Sequence, residues 1–259
     1  MTVGTELRDR LRRYYTAYYR DTLAIPDWPA LVELRLEEEQ RLEAPHLARV
    51  RALLGDGVLR GRLLNVGCGT GGFNVLAAEA GARAVGVDES GDAIAICGLK
   101  ARKAGGTFVR ARAEALPFRD GTFDLVYCFS AIEHVASVDL TVAEMARVTR
   151  HGGAVYVHTP NAWSWWEGHY KIAWIPFLPG PVARLYLLLR HRPTAYLATL
   201  RRLTPGALRR AFARAGLTNL TPHGDTPGRE SVGVRRRLIS LYYRLTGMAP
   251  FIELVARKT

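Results

Sequence analysis

The 259-residue sequence predicts a doubly wound α/β fold: a mostly parallel seven-stranded sheet with helices on both faces, an N-terminal helical cap and an inserted lid. Three observations carry that expectation. From residue 61 to 160 short apolar runs alternate with helical stretches, the pattern of parallel strands joined by crossover helices. A glycine-rich turn follows the first run, and such sheets bind ligands beyond the carboxyl ends of their strands. After Pro160 the alternation breaks, and it resumes only at Thr204.

Taken in order, residues 5–22 place Leu7, Leu11, Tyr14, Tyr15, Tyr18 and Thr22 at helical spacings. Asp27-Trp28-Pro29 reads as a helix start with proline in the first turn. This second helix is expected to end before Pro45, where a third takes over to about Leu54, and Gly55-Asp56-Gly57 is a turn. Strands are expected at Arg62 to Val66, Ala84 to Val87, Thr107 to Val109, Phe123 to Cys128 and Ala154 to His158, with helices over 73–80, 91–104 and 138–149. Thr204-Pro205-Gly206 caps a further helix. A sixth strand near Leu217 to Pro222, a helix over 233–246 and a strand from Ala249 to Ala256 complete the chain. The division is therefore 1–60 cap, 61–160 and 204–259 core, and 161–203 acceptor-side lid.

Hydrophobic residues make up 48% and charged residues 23%, values that exclude a disordered chain. The start of the chain is charged from its sixth residue, unlike a secretory signal, and the most apolar stretch, Ile172 to Leu189, contains three prolines and Arg184, unlike a membrane span. Cys68, Cys97 and Cys128 have no C-x-x-C spacing and give neither a disulfide framework nor a zinc cluster. A cytoplasmic location is the expectation. The net charge of +12 is unevenly placed: residues 1–180 hold 21 basic and 21 acidic side chains, whereas 181–247 hold 13 arginines against Asp225 and Glu230. Such a segment is either a solvated arginine surface or one drawn to a membrane surface, a phosphate-bearing acceptor or nucleic acid, the last the weakest because no RNA-binding module or basic-aromatic platform is visible.

Leu63-Leu64-Asn65-Val66-Gly67-Cys68-Gly69-Thr70-Gly71-Gly72 runs from the first strand into a helix. Glycines let a ligand approach the backbone, and the helix N-terminus offers free N–H groups. Asp88 ends the second strand, 19 residues after Gly69, where a carboxylate accepts ribose hydroxyls. The pair points to an adenosine-containing cofactor. A nicotinamide dehydrogenase shares the glycines, but no tyrosine here is followed by lysine at the Tyr-x-x-x-Lys spacing of a short-chain dehydrogenase.

This loop, V-G-V-D, A-E-A-L-P-F-R-D-G-T-F-D-L-V-Y-C, E-H-V and the R-V-T-R-H-G-G turn together resemble the class I S-adenosylmethionine-dependent methyltransferases of quinones and small molecules over residues 61–160. The resemblance implies a Rossmann-like methyltransferase sheet, S-adenosylmethionine as cofactor, and the final strand P-F-I-E-L-V-A-R-K. It also implies roles. Gly67, Gly69 and Gly71 would border the methionine moiety, Asp88 would hold the ribose, Ala113 and Glu114 would lie at the adenine edge, and Phe129 and Ser130 would flank the ligand after the fourth strand, with Asn65, Cys68 and Glu89 as further cofactor-contact candidates. Two departures stand out: Arg112 where members often carry an acid, and Asn65 in place of the common acid of the first motif.

On the acceptor side, His134, His158, His169 and Glu167 are the candidate acid–base residues, each alternatively a structural residue at a strand end or turn. Trp163-Ser164-Trp165-Trp166-Glu167-Gly168-His169-Tyr170 after T-P-N resembles inserts of glycan and secondary-metabolite members, or else roofs the sheet by packing alone. Tyr14 and Tyr18 are candidates for closing over the cofactor, with core packing the alternative. No metal is required for this chemistry. The sequence therefore predicts methyl transfer to a small-molecule hydroxyl, with C-methylation of a prenylated quinone precursor or a lipid-linked acceptor as the alternative, and a non-catalytic cofactor-binding protein as the remaining one.

Overall fold

The computed structural model describes residues 3–224, 241–243, 245–246 and 249–259. Five strands follow the expected order: β1 (Arg62–Val66), β2 (Arg83–Asp88), β3 (Thr107–Arg110), β4 (Phe123–Phe129) and β5 (Thr149–Pro160). A two-stranded hairpin, β6 (Trp166–Glu167) and β7 (Ile172–Ala173), leaves the main sheet, which β8 (Asn219–Gly224) and β9 (Phe251–Arg257) complete. The seven-stranded sheet has the order β3-β2-β1-β4-β5-β9-β8. Its first five strands pair in parallel, and β9 runs antiparallel between β5 and β8. The carboxyl ends of β1, β2, β4 and β5 thus lie side by side, where the chain order reverses direction across the sheet.

Because side chains alternate along a strand, Leu63 and Leu64 of β1 feed different cores. Leu64, Val126, Val155 and Leu254 pack under α5 (Val138–Val148) and α8 (Pro205–Arg214), while Leu63, Leu125 and Tyr156 pack with Phe73 of α3 (Gly72–Glu79) and with Leu47 and Val50. A third cluster joins the ends of the chain's additions. Leu11 and Tyr15 of α1 (Val3–Thr16), Tyr19 of the π-helical turn Ala17–Thr22, and Val32 pack against Tyr170, Ile172, Trp174 and Leu187 of the lid. Cap and lid share one core.

Two boundaries differ from expectation. The second helix, α2 (Trp28–Leu54), passes through Pro45 and breaks its regular backbone earlier, at Glu38 (φ −124°, ψ 20°). An interior proline removes one hydrogen bond, but burial of Leu47 and Val50 beyond it holds the helix on course. In the lid, α6 (Gly180–Leu189) and α7 (Ala195–Thr199) replace the undivided aliphatic stretch. The helix expected over 233–246 falls mostly outside the described residues, as do Arg235, Arg236 and Arg237; residues 241–243 and 245–246 are helical. Among the described residues no helix is long and apolar enough to cross a membrane.

Candidate active site

The turn after β1 is built by backbone conformations that only glycine adopts freely. Gly67, Gly69 and Gly71 have φ of 73°, 51° and 79°. A Cβ on Gly67 would stand 2.2 Å from that of Ala131, whereas one on Gly69 would meet nothing within 4 Å. Gly69 is thus the open point of the loop, where the backbone is free to be approached. Asp88 Oδ2 accepts from the Gly69 N–H at 2.9 Å and Oδ1 from the Ser90 N–H at 2.9 Å. Each oxygen retains a lone pair, so the carboxylate is aimed and still able to accept two hydroxyls. The fit to an adenosine ribose rests on that spare capacity.

Beneath the loop lies a network with no motif to announce it. Glu39, just past the break in α2, accepts from Thr70 Oγ1 at 2.6 Å and pairs with Lys100 of α4 (Gly91–Ala104). Lys100 Nζ also donates to the Thr70 carbonyl at 2.7 Å, and the Tyr15 hydroxyl lies 2.9 Å from Thr70 Oγ1. The thiols of Cys68 and Cys97 are buried, and that of Cys97 donates to the Gly69 carbonyl at 3.2 Å. Contact with Cys97 and burial push the Cys68 thiol well up, so it stays protonated. Burial, reinforced by the nearby Asp88 carboxylate, likewise raises Tyr14, a residue of the cap.

Several residues tied to the cofactor by resemblance are braces here. The Asn65 amide donates to Asn74 Oδ1 at 2.7 Å and fastens α3 to β1. Glu114 Oε1 accepts from the Ala136 and Ser137 N–H groups at 2.7 and 3.2 Å, and Oε2 lies 3.4 Å from Arg112. Its carboxylate therefore secures the start of α5. Ala113 packs partly buried beside it, and Glu89 is exposed. Phe129 stacks on His158 at 4.2 Å between ring centroids and meets His46 at 4.0 Å with the rings tilted, and Ser130, at φ 48°, donates its N–H to the His158 carbonyl.

Beyond Phe129 and Ser130 opens a chamber of about 930 Å³ walled by Tyr18, His134, His158, Trp166 and His169. His158 is buried in the aromatic stack, flanked on its other side by Phe251. His134 and His169 meet at 5.2 Å between ring centroids, and Tyr196 of α7 packs against both. His169 Nδ1 is 2.8 Å from Glu167 Oε1, and its Nε2 is 3.7 Å from Glu133 Oε1. Burial opposes charge on His169, yet the two carboxylates push its pKa up to about 9. Burial and the neighbouring His169 pull His134 the other way, against Glu133. The sequence therefore brought His134, His169 and Glu167 to one place and missed Glu133, Thr159, Tyr196 and Glu39. Glu133 and Thr159 left traces, in the E-H-V and T-P-N runs.

The glycine loop and Asp88 lie at the carboxyl ends of the strands of a doubly wound α/β sheet, where such folds bind ligands. Residues 64–157 match the family model described as "Methyltransferase domain". The chain is 40% identical over 103 residues to a ubiquinone biosynthesis O-methyltransferase of Rhizobium etli, covering 39% of this chain and 41% of that one. It is 33% identical over 174 residues to an uncharacterized methyltransferase of Mycobacterium leprae, covering 61% and 64%. The chain thus spans 41% to 64% of the length of these curated relatives. Among solved structures, an S-adenosylmethionine-dependent methyltransferase from Mesorhizobium loti aligns with a TM-score of 0.58 at 20% identity, over 82% of this chain and 96% of that one. Magnesium protoporphyrin IX methyltransferase from Synechocystis, solved with S-adenosylhomocysteine bound, aligns at 0.58 and 17% identity over 97% and 94%. Residues 64–157 thus carry a methyltransferase domain, on a chain that shares its fold with S-adenosylmethionine-dependent methyltransferases.

Proposed function

We propose that the chain methylates a hydroxyl group on a small, partly apolar acceptor, such as a sugar-containing or polyketide-like metabolite. The observation behind this reading is the chamber at the ends of β4 and β5, with aromatic walls and a histidine–carboxylate cluster at one side. When bound, S-adenosylmethionine supplies an electrophilic methyl group. Asp88 and the glycine loop would hold its ribose and methionine ends. Phe129, Tyr18 and Trp166 keep water away from the acceptor, and fixing two reactants in a dry site is worth about 7–11 kcal/mol in ideal cases. His134, which burial keeps neutral at neutral pH, has a ring nitrogen able to take the hydroxyl proton. His169 stays charged between Glu133 and Glu167 and fixes that wall of the chamber. An oxygen acceptor is favoured because it gains from a base, and because the Rhizobium etli relative is named an O-methyltransferase.

A second reading, a prenylated or lipid-linked acceptor taken at a membrane surface, is favoured by one observation. On α6 the side chains of Leu185, Leu188 and Leu189 are 56%, 60% and 70% exposed beside Arg184 and Arg190. The test is transfer from methyl-¹³C S-adenosylmethionine to panels of phenols, glycosides and polyketides, and to vesicle-borne prenylated phenols. A methoxyl carbon in the product spectrum is expected. A C-methyl product would overturn the oxygen assignment, and transfer only to vesicle-borne acceptors would select the second reading.

A further inference from the structure

We propose that Glu133, His134 and His169 form a binding site for one divalent first-row cation on the wall of the acceptor chamber. The inference rests on the acceptor reading above, departs from the sequence expectation that no metal is needed, and, with the cation bound, turns His134 from proton acceptor to ligand. Three donor atoms converge. Glu133 Oε1 and one nitrogen from each imidazole lie within 4.8 Å of one another, with Oε1 3.7 Å from His169 Nε2 and 4.0 Å from His134 Nε2.

A separate observation points to a missing partner. The Glu133 side chain is 3% exposed, and among the described residues its Oε1 has no hydrogen-bond partner. A buried carboxylate oxygen without a donor is costly, and a cation between the three atoms would satisfy it. The far ends of two ligands are already held. Glu133 Oε2 accepts from Thr159 Oγ1 at 2.9 Å. Glu167 sits 2.8 Å from His169 Nδ1 and would keep a proton there, while the cation would displace the proton that the charged ring carries on Nε2 toward Glu133. Carboxylates that support a metal-binding histidine in this way orient the ring and raise its basicity.

The donor set selects the ion. Two imidazoles and one carboxylate suit manganese to zinc better than calcium or magnesium, and three protein ligands leave positions open to an acceptor oxygen. Bonds of about 2.0–2.2 Å require the donors to draw together by on the order of 1 Å. His134, whose side chain is 33% exposed, has room to move.

The experiment titrates the chelator-stripped full chain with cobalt(II), read by visible absorption and by metal analysis. One equivalent with a d–d band is expected. His134→Ala and His169→Ala should each weaken binding at least tenfold, Glu167→Gln by about 10- to 100-fold, and His151→Ala, exposed elsewhere on the surface, not at all. S-adenosylhomocysteine affinity and melting temperature identify variants that remain folded, and Glu167→Gln serves if the histidine variants do not. Absence of stoichiometric cobalt, or binding that survives the folded variants, overturns the site. Site-specific cobalt binding without methyl transfer to any acceptor keeps the cation site and sinks the acceptor reading. Methyl transfer by a protein that binds no cobalt does the reverse.

Discussion

Asp88 uses part of its hydrogen-bonding capacity to shape the glycine loop and keeps the rest for a ligand. Asp88→Ala should weaken S-adenosylmethionine binding by about 1.5–3 kcal/mol, the scale of hydrogen bonds to a charged group; calorimetry on the folded variant showing unchanged affinity would refute the ribose role. Glu39 carries a different burden. It is the carboxylate partner of Lys100, whose side chain is only 8% exposed. Glu39→Gln leaves that ammonium buried without its counter-charge and should cost about 3–5 kcal/mol of stability. Denaturant melts would show it, together with weaker cofactor binding as Thr70 loses its anchor. Asp88 was legible in the sequence because the loop and the strand end stand at a fixed spacing. Glu39 was not, because a residue of α2, one of α4 and a loop threonine meet only after folding.

At the scale of elements, the stretch after β3 shows that a recognised motif also carries structural contacts the sequence did not announce. Glu114 reaches the N-terminus of α5, and Arg147 of that helix donates to the carbonyls of Leu116 and Phe118. Glu144 accepts from the Leu116 N–H and pairs with Arg147. The A-E-A-L-P-F-R-D run is thus clamped to α5 from both of its ends. The Arg147 guanidinium holds the Glu144 carboxyl below the usual glutamate range of about 4.3. Its contribution to stability is therefore complete above that range and drains away as the pH falls through the lower, folded-state value. Melts from pH 6 down to about 3 should show a steeper acid loss in the native chain than in Glu144→Gln; parallel curves would contradict the clamp. The strands and most helices were legible from periodicity. The break in α2 was misplaced because proline is a local signal, whereas the helix's course follows the burial of Leu47 and Val50.

On the scale of the molecule, the additions to the sheet act together. Tyr15 and Tyr19 of the cap and Tyr170, Trp174 and Leu187 of the lid are buried in one cluster, so the chamber lies between segments some 150 residues apart in sequence. That pairing could not be read from either segment alone, since each carries an amphipathic pattern with no stated partner. Tyr18 and Tyr196 close the seam with hydroxyls 3.3 Å apart, and His134 and His169 are brought together beside it. The central claim is that this seam is the place of methyl transfer, with the cofactor loop on one side and the histidine–carboxylate cluster on the other. A crystal structure of the full chain with S-adenosylhomocysteine tests it most directly. Ribose hydroxyls on Asp88 and a sulfur facing the chamber between His134 and His169 are the expected result. A sulfur directed away from those histidines, or a ligand bound off the glycine loop, would contradict it.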